Sequence, residues 1–278
     1  MHPIYLYLSL RNIHKNICNK PSKHAWILLA NLLISKFATM EFNESHLSDK
    51  VKGMPGLLQK VLYHECLHLI FKPLHKHAGI GQPVQQVALL DAHGQSQLCV
   101  PILVSWIANL EEVLDIIGLK HNNCPKCTAK YKDLGSIWTC HCRSGENILH
   151  TLCMLRKTFP NATTWQFSHK ACELGLVGIE HPCWEGLQVD ICCVICLDLL
   201  HGLHKYVSDH VKTWITNSVG EGSLDAQFIA QPHRKGMNTF HNGISKISQW
   251  SGQENWDLQW HLAVIVAGAY EDSTESES

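Results

Sequence analysis

An excess of charge of either sign is missing from this chain. Lys and Arg number 23 against 24 Asp and Glu, a formal net charge of -1 over 278 residues. A free-standing nucleic-acid binder usually carries a basic excess, and this composition supplies none. No apolar run has the length a membrane span needs; LAVIVAGA, from Leu262, is too short and follows His261. The amino terminus, MHPIYLYLSLRNIHK, has a short apolar run broken by Arg11 and no small-residue cleavage site, so it does not read as a secretory signal. The thiols are therefore expected to be reduced and the protein intracellular, and the sequons at Asn43 and Asn161 read as chance matches. There is no internal repeat. Hydrophobic residues make up 45% and charged residues 17%, which supports a buried core and excludes global disorder.

What is abundant is cysteine, 13 residues, and histidine, 20 residues. Cys124-Pro-Lys-Cys127 is a tight C-x-x-C turn, and Ile191 to Trp214 carries His201, His204 and His210 on an amphipathic helical run. A C-x-x-C knuckle with a later helical His cluster can tie two distant segments to one Zn2+ ion. His201 and His204, at i and i+3, share a helix face. His201 and His210 are nine apart and lie on opposite faces unless the helix breaks between them. Cys140/Cys142 and Cys193/Cys196 compete as the second pair of ligands. Asp198 stands where it could orient His201 through the second ring nitrogen, or merely begin the helix.

Taken in order, His2–Ile13 has the composition of a strand, and His24–Ile34 is apolar enough for a buried strand or buried helix. Ala38–Gly53 reads as loop. Pro55–His77 has helical apolar spacing, with Pro73 expected to end or kink it. Its string His64-Glu65-Cys66-Leu67-His68 matches H-E-x-x-H, a zinc-protease pattern. The bland alternative, a helix face with two solvated histidines, is preferred because short motifs match by chance. Val84–Leu90 and Leu98–Ala108 read as strands. Asn109 is a good N-cap for a helix to about Gly118, with Glu111 and Glu112 in its first turn. Lys120–Cys142 is knuckle and loop, Asn147–Arg156 and Trp165–Leu174 helices, and Gly175–Glu185 loop. The His-rich helix runs to about Asn217, Gly220–Gly243 is mostly loop, and Trp250–Tyr270 is helical. Trp214, Trp250, Trp256 and Trp260 are expected in a core rather than stacked on bases, and Lys126 and Lys205 solvated. The tail EDSTESES is expected to be disordered.

The order of these pieces resembles the Plavaka-type transposases of fungal genomes, relatives of the CACTA group of DDE transposases. The stretches that carry the resemblance are HPIYLYLSLRNIHKNICNKPSKHAWILL, VLYHECLHLIFKPL, HGQSQLCVPILVSWIANLEEV, CPKC, DLLHGLHKYVSDHVKTW and GISKISQWSGQE. The resemblance implies an RNase H-like nuclease in which three acidic residues hold two Mg2+ ions for cleavage and transfer of DNA strands. It also disposes of the zinc-protease reading. It implies zinc held by Cys124, Cys127 and two of the three histidines, favouring His201 and His210 with His204 as alternate.

Several positions depart from the family pattern. The family's first aspartate lies upstream of the stretch that begins this chain. A second aspartate is replaced by Asn109, a neutral group and a poor Mg2+ ligand. His93 and Gln97 replace an aspartate and an arginine. No third acid is evident, Glu221 and Asp225 being weak candidates.

The expectation is an α/β fold with a partial RNase H-like core over 1–118. A mostly helical, zinc-braced insertion covers 119–217, a loop and helix 218–270, and an acidic tail 271–278. The functional expectation is an inactive transposase relic, nuclear by resemblance, bound to DNA in its ancestral form and free of membrane. The alternative is a zinc-stabilised module that contacts a protein partner such as an intact transposase. A third reading keeps nuclease activity through Asp91 and Asp115.

Overall fold

The computed structural model describes residues 4–9, 15–18, 20–32, 48–78, 83–91, 93–136, 140–199, 206–248 and 250–275. It divides into two compact units, Met1–Cys196 and Leu197–Ser278. The architecture is mixed, with helices and small sheets, as expected of an α/β chain.

In the first unit, strand β1 (Ile4–Leu8) is followed by the short helix α1 (Lys15–Cys18) and strand β2 (Ile27–Leu32). β1 and β2 pair antiparallel, Ile4 opposite Leu32 and Leu8 opposite Ile27, with an irregularity between Leu6 and Tyr7. The apolar run around β2 is thus a strand, but not a buried one: Trp26, Ile27, Leu28 and Leu29 are exposed. Helix α2 spans Ser48–Ala78. It begins inside the expected loop and passes through Pro73, which has no N–H to give to the carbonyl of Leu69. Packing holds it instead: Tyr63, Leu67 and Phe71 recur at i+4 spacing and sit in the core.

Strands β3 (Val87–Leu90) and β4 (Ser96–Cys99) form an antiparallel hairpin. The apolar stretch beyond β4 does not continue as one strand. Pro101 cannot donate to a ladder, and the chain stays irregular until β5 (Trp106–Ala108). Helix α3 (Leu110–Ile117) starts on the Asn109 cap and ends at Gly118, whose φ of 84° is left-handed. Helices α4 (Gly145–Thr158) and α5 (Thr164–Glu173) follow close to the expected bounds. Thr163 and Gln166 form a reciprocal capping box at the start of α5. The stretch expected as one His-rich helix is instead the one-turn helix α6 (Ile191–Val194), the strand β6 (Ile195–Leu197) paired with β5, and then helix α7 (Tyr206–Val219). The three sheets among the described residues are each two-stranded.

The core of the first unit joins α2, α3, α4 and α5 around Trp184, Leu187, Ile191 and Ile195. Each such side chain contributes roughly 1.5–3 kcal/mol on burial. Trp184 is fully buried and donates its Nε1–H to the carbonyl of Ile116 at 2.8 Å, closing one of the free carbonyls at the end of α3.

The second unit packs α7, α8 (Glu221–Ile229) and α9 (Gly252–Glu275) around Leu224, Phe228, Phe240, Ile244, Leu258, Leu262 and Ile265. Residues 221–229 form a helix within a stretch otherwise loop, as expected of most of it, but α9 takes in the first residues of the acidic tail. The tryptophans do not make the core. Trp214, Trp256 and Trp260 are exposed, because Leu258, Leu262 and Ile265 form the buried stripe of α9 and Trp256 and Trp260 lie off it. Only Trp250 of the four is packed against this core, beside Phe240 and under the ammonium of Lys212.

Candidate metal centre and carboxylate positions

The knuckle is a small hairpin rooted on the rest of its unit. Asn123 pairs with Lys130, and the Cys124 N–H donates to the Ala129 carbonyl at 3.4 Å. Pro125 and Ala129 are buried beneath the turn. The Asn123 side chain donates to the carbonyls of Lys120 and Gly175, fixing the root of the hairpin to the end of α5.

Within the turn, the Lys126 N–H donates to Cys124 Sγ at 3.4 Å, and the Cys124 and Cys127 thiols shift each other's ionisation. Partial burial pushes the Cys124 thiol up. The N–H of Lys126, the hydrogen bonds from Cys127 and the Arg143 guanidinium outweigh it and leave the group below its ordinary value. Cys127 moves the other way. The Ala129 N–H lowers it, but burial and the neighbouring thiols of Cys124 and Cys140 raise it further. The two neighbouring thiols are thus shifted in opposite directions, the expected split when two acids share a site. Such a donor set suits a soft-tolerant ion such as zinc.

A second segment wraps the knuckle. Cys142 pairs antiparallel with Cys127, the Thr128 N–H donates to the His141 carbonyl, and the Arg143 N–H donates to the Lys126 carbonyl, both at 2.9 Å. Arg143 also donates its Nε–H to the Cys124 carbonyl at 2.8 Å. Lys126 is not merely solvated. Its ammonium reaches the carbonyls of Cys192, at 2.7 Å, and Ile195, across the end of α6.

His201 and His204 lie outside the described residues, and so does the partner expected for Asp198, itself half-buried. His210 is exposed on α7, its ring stacked on Trp214 at 6.1 Å. Both members of the other thiol pair, Cys193 and Cys196, are exposed, while burial pushes the neighbouring Cys192 up to about 12. Among the described residues, no three His, Cys, Asp or Glu side chains stand so that together they could hold a metal ion.

The candidate carboxylate positions are occupied by structural duties. Asn109 Oδ1 accepts the N–H of Glu112 at 2.9 Å and caps α3. Asp225 Oδ1 accepts the N–H groups of Ile244, at 2.7 Å, and Ser245, at 3.0 Å, while Oδ2 takes the Ser245 hydroxyl. Glu221 is exposed in the first turn of α8. Asp91 holds the β3–β4 turn by accepting the N–H groups of His93 and Gln95, each at 2.9 Å, and Asp115 is paired with Lys60.

The zinc-protease pattern on α2 also resolves. His64 is buried, Glu65 and His68 are exposed, and His68 stacks on His75 at 4.8 Å rather than beside His64. The bland reading of two solvated histidines is thus corrected in one respect, since only His68 is solvated.

The Plavaka transposase family matches residues 1–215. This chain belongs to the Plavaka transposase family. No curated protein and no solved structure matches it. In this Plavaka chain, Cys142, which the sequence offers with Cys140 as a competing thiol pair, is bridged to Cys127. Lys126 and Arg143 were not legible as supports of the knuckle, because their partners are distant carbonyls.

Proposed function

We propose that this chain is a transposase-derived protein that no longer cleaves DNA, with a zinc-braced knuckle at Cys124 and Cys127. Membership of a transposase family supports the ancestral association with DNA. It also supports the finer reading of a partial RNase H-like core and a nuclear location.

The observation that carries the loss of cleavage is Asn109. It replaces a carboxylate of the family pattern and spends its side-chain oxygen on the N–H of Glu112. Asp225 is equally committed, with both oxygens accepting bonds from the Ile244–Ser245 turn. A two-cation site needs several ionised carboxylates with free lone pairs facing one point. The residues at these positions do not fit that requirement, so no cleavage step is assigned to them.

The knuckle supplies two donors of the type that zinc takes. Zinc would be held through the Cys124 and Cys127 sulfurs, where it supplies a tetrahedral tie and no reaction chemistry. The Lys126 N–H supports the Cys124 sulfur, and Arg143 fixes the turn that presents it. By the family pattern His201 and His210 would complete the tie.

The test is cleavage of supercoiled and short duplex DNA by the purified chain in Mg2+ and in Mn2+. No cut above background is expected. Cleavage in Mn2+ that disappears in Asp91→Asn or Asp115→Asn would sink the inactive reading and revive the nuclease.

A second reading is a module for a protein partner, an intact transposase of the same family. It is favoured by the β1–β2 hairpin, which exposes Tyr5, Tyr7, Trp26, Ile27 and Leu28. A two-stranded ribbon is marginal alone, and clustered exposed apolar side chains mark contact surfaces. Co-purification with a full-length family transposase, lost in Tyr5→Ser/Ile27→Ser, is the expected result for that reading.

A further inference from the structure

Helix α9 carries two apolar stripes on opposite faces. Leu258, Leu262 and Ile265 form the first and face the core of the second unit. Trp256, Trp260, Val264 and Ala267 form the other, and all four are exposed. At about 100° per residue the two stripes lie about 170° apart. A helix apolar on both faces calls for cover on both. Beside the outer stripe, the loop after α8 closes a cleft of about 460 Å³, with Arg234, Gly236 and Met237 on one wall and Trp256, Trp260 and Val264 on the other. The loop is fixed to the helix. The buried Asp257 carboxylate accepts the N–H and the side-chain amide of Asn238, both at 2.9 Å, and the amide of Gln253 at 2.9 Å. Asp257 is thereby committed to the floor of the cleft, while Arg234 and Lys235 stay exposed. From Ala226 to Gln253 the chain carries Arg234, Lys235 and Lys246 and no acidic residue. The end of α9 is the opposite: it carries Glu271, Asp272 and Glu275 and no basic residue.

We propose that the outer stripe of α9 is covered by the same stripe of a second copy of this chain, the two helices antiparallel about a two-fold axis at Val264. In such a contact, positions equidistant from the axis meet. Trp260 then comes opposite Gly268, next to Ala267, so the largest side chain of one copy meets the smallest residues of the other. Trp256 comes opposite Asp272, so the acidic end of one helix reaches the cleft that Arg234 lines in the other copy. Charge selects this direction. Parallel helices would set acidic end against acidic end, whereas the antiparallel pair sets each acidic end, with the negative pole of its helix dipole, beside a cationic loop. The same pattern disfavours a nucleic-acid strand along the stripe, since its phosphates would run onto Glu271 and Asp272. The interface lies within the second unit. The readings of lost cleavage and of the zinc brace do not depend on it.

The experiment is sedimentation of the full chain at micromolar concentrations. The wild type is expected to be a dimer, and a wild type that stays monomeric would overturn the proposal. Trp260→Glu is expected to be a folded monomer by circular dichroism, because the side chain it replaces is 65% exposed. A dimer that survives this change is held by another surface and would also overturn it. Charge reversal tests the direction without touching the tryptophans. Arg234→Glu/Lys235→Glu and Glu271→Lys/Asp272→Lys should each weaken the dimer at least about ten-fold. Mixed one to one, the two variants should recover wild-type association, since every loop in the mixed dimer meets a helix end of opposite charge. No weakening in either variant, or no recovery in the mixture, would overturn the antiparallel pairing. A monomeric wild type whose tryptophan fluorescence is quenched by single-stranded DNA would assign the stripe to nucleic acid instead.

Discussion

His64 Nε2 donates to the main-chain oxygen of Asp115 across 2.9 Å, while its Nδ1 accepts the N–H of Cys183 at 3.0 Å. One buried ring thus ties α2 to the last turn of α3 and to the loop that carries Trp184. The arrangement fixes the neutral tautomer, because Nδ1 must be free to accept. Burial lowers the ring to about 4, against a small opposing pull from the Asp115 carbonyl. The unfolded chain protonates near 6.5, so its proton uptake exceeds that of the native state between 6.5 and about 4. The stabilisation is full above 6.5 and declines as pH falls through that window, by roughly 3 kcal/mol at about 1.4 kcal/mol per pH unit. Urea unfolding across pH 4–7 should show this slope in the wild type and a weaker one in His64→Gln. Equal slopes would mean that His64 is protonated in the native chain.

Lys126 closes the carbonyls at the end of α6. A helix end leaves such carbonyls without partners, and a charged donor to them is worth more than a neutral one. Lys126→Met should cost about 1–2 kcal/mol, the lower part of the charged range because the side chain is partly in water. A sharper readout is Cys192, buried just inside the segment that Lys126 secures. Its alkylation should be several-fold faster in the variant. An unchanged rate would show that α6 holds without the ammonium.

Local chemistry was legible where it acts alone. Asn109, the two glutamates after it and Gly118 define α3 by short-range rules, and the structure keeps them. Helix α5 also lies close to the bounds read from the sequence, and the structure adds its Thr163–Gln166 box. What failed depended on distant partners. Ile195–Leu197 reads as a continuation of a helix, yet it pairs with Trp106–Ala108 and is capped by Lys126. The tryptophans of α9 look like core by type, but the stripe that faces α7 and α8 is set by Leu258, Leu262 and Ile265. At the site, C-x-x-C announced itself, whereas Cys142 became the neighbour of Cys127 only through the bridge that pairs them.

Asp225 and Gly243 test the second unit. Gly243 has φ of 77°, and a Cβ there would meet Asp225 Cγ at 2.3 Å. The Asp225 carboxyl, pushed up by burial, is held below its ordinary range by the Ser245 hydroxyl and the N–H groups of Ser245 and Ile244. Its contribution is therefore present above about pH 4 and lost as pH falls below that value. Gly243→Ala should destabilise this unit by about 2 kcal/mol or more, combining left-handed strain with the clash. Asp225→Asn should cost about 1–3 kcal/mol through the lost charged acceptor. Thermal unfolding followed by Trp250 fluorescence reports on both. A silent Asp225→Asn would remove the structural reason for setting this carboxylate aside as a metal ligand.

Asn109 separates capping from catalysis. As an N-cap, Asn and Asp are nearly equivalent, whereas alanine costs typically about 1 kcal/mol. Asn109→Asp should therefore unfold within about 0.5 kcal/mol of the wild type, and Asn109→Ala about 1 kcal/mol earlier. If the position were only an erased catalytic aspartate, restoring the acid would restore cleavage in Mn2+. The structure argues otherwise: the oxygen at position 109 is engaged by the Glu112 N–H, Asp115 is paired with Lys60, and Asp91 is bound into its own turn. One added carboxylate cannot assemble a two-cation site from neighbours so committed. Asn109→Asp is expected to remain without DNA cleavage in Mn2+ while keeping wild-type stability. A variant that cut DNA where the wild type did not would overturn this structural reading of position 109.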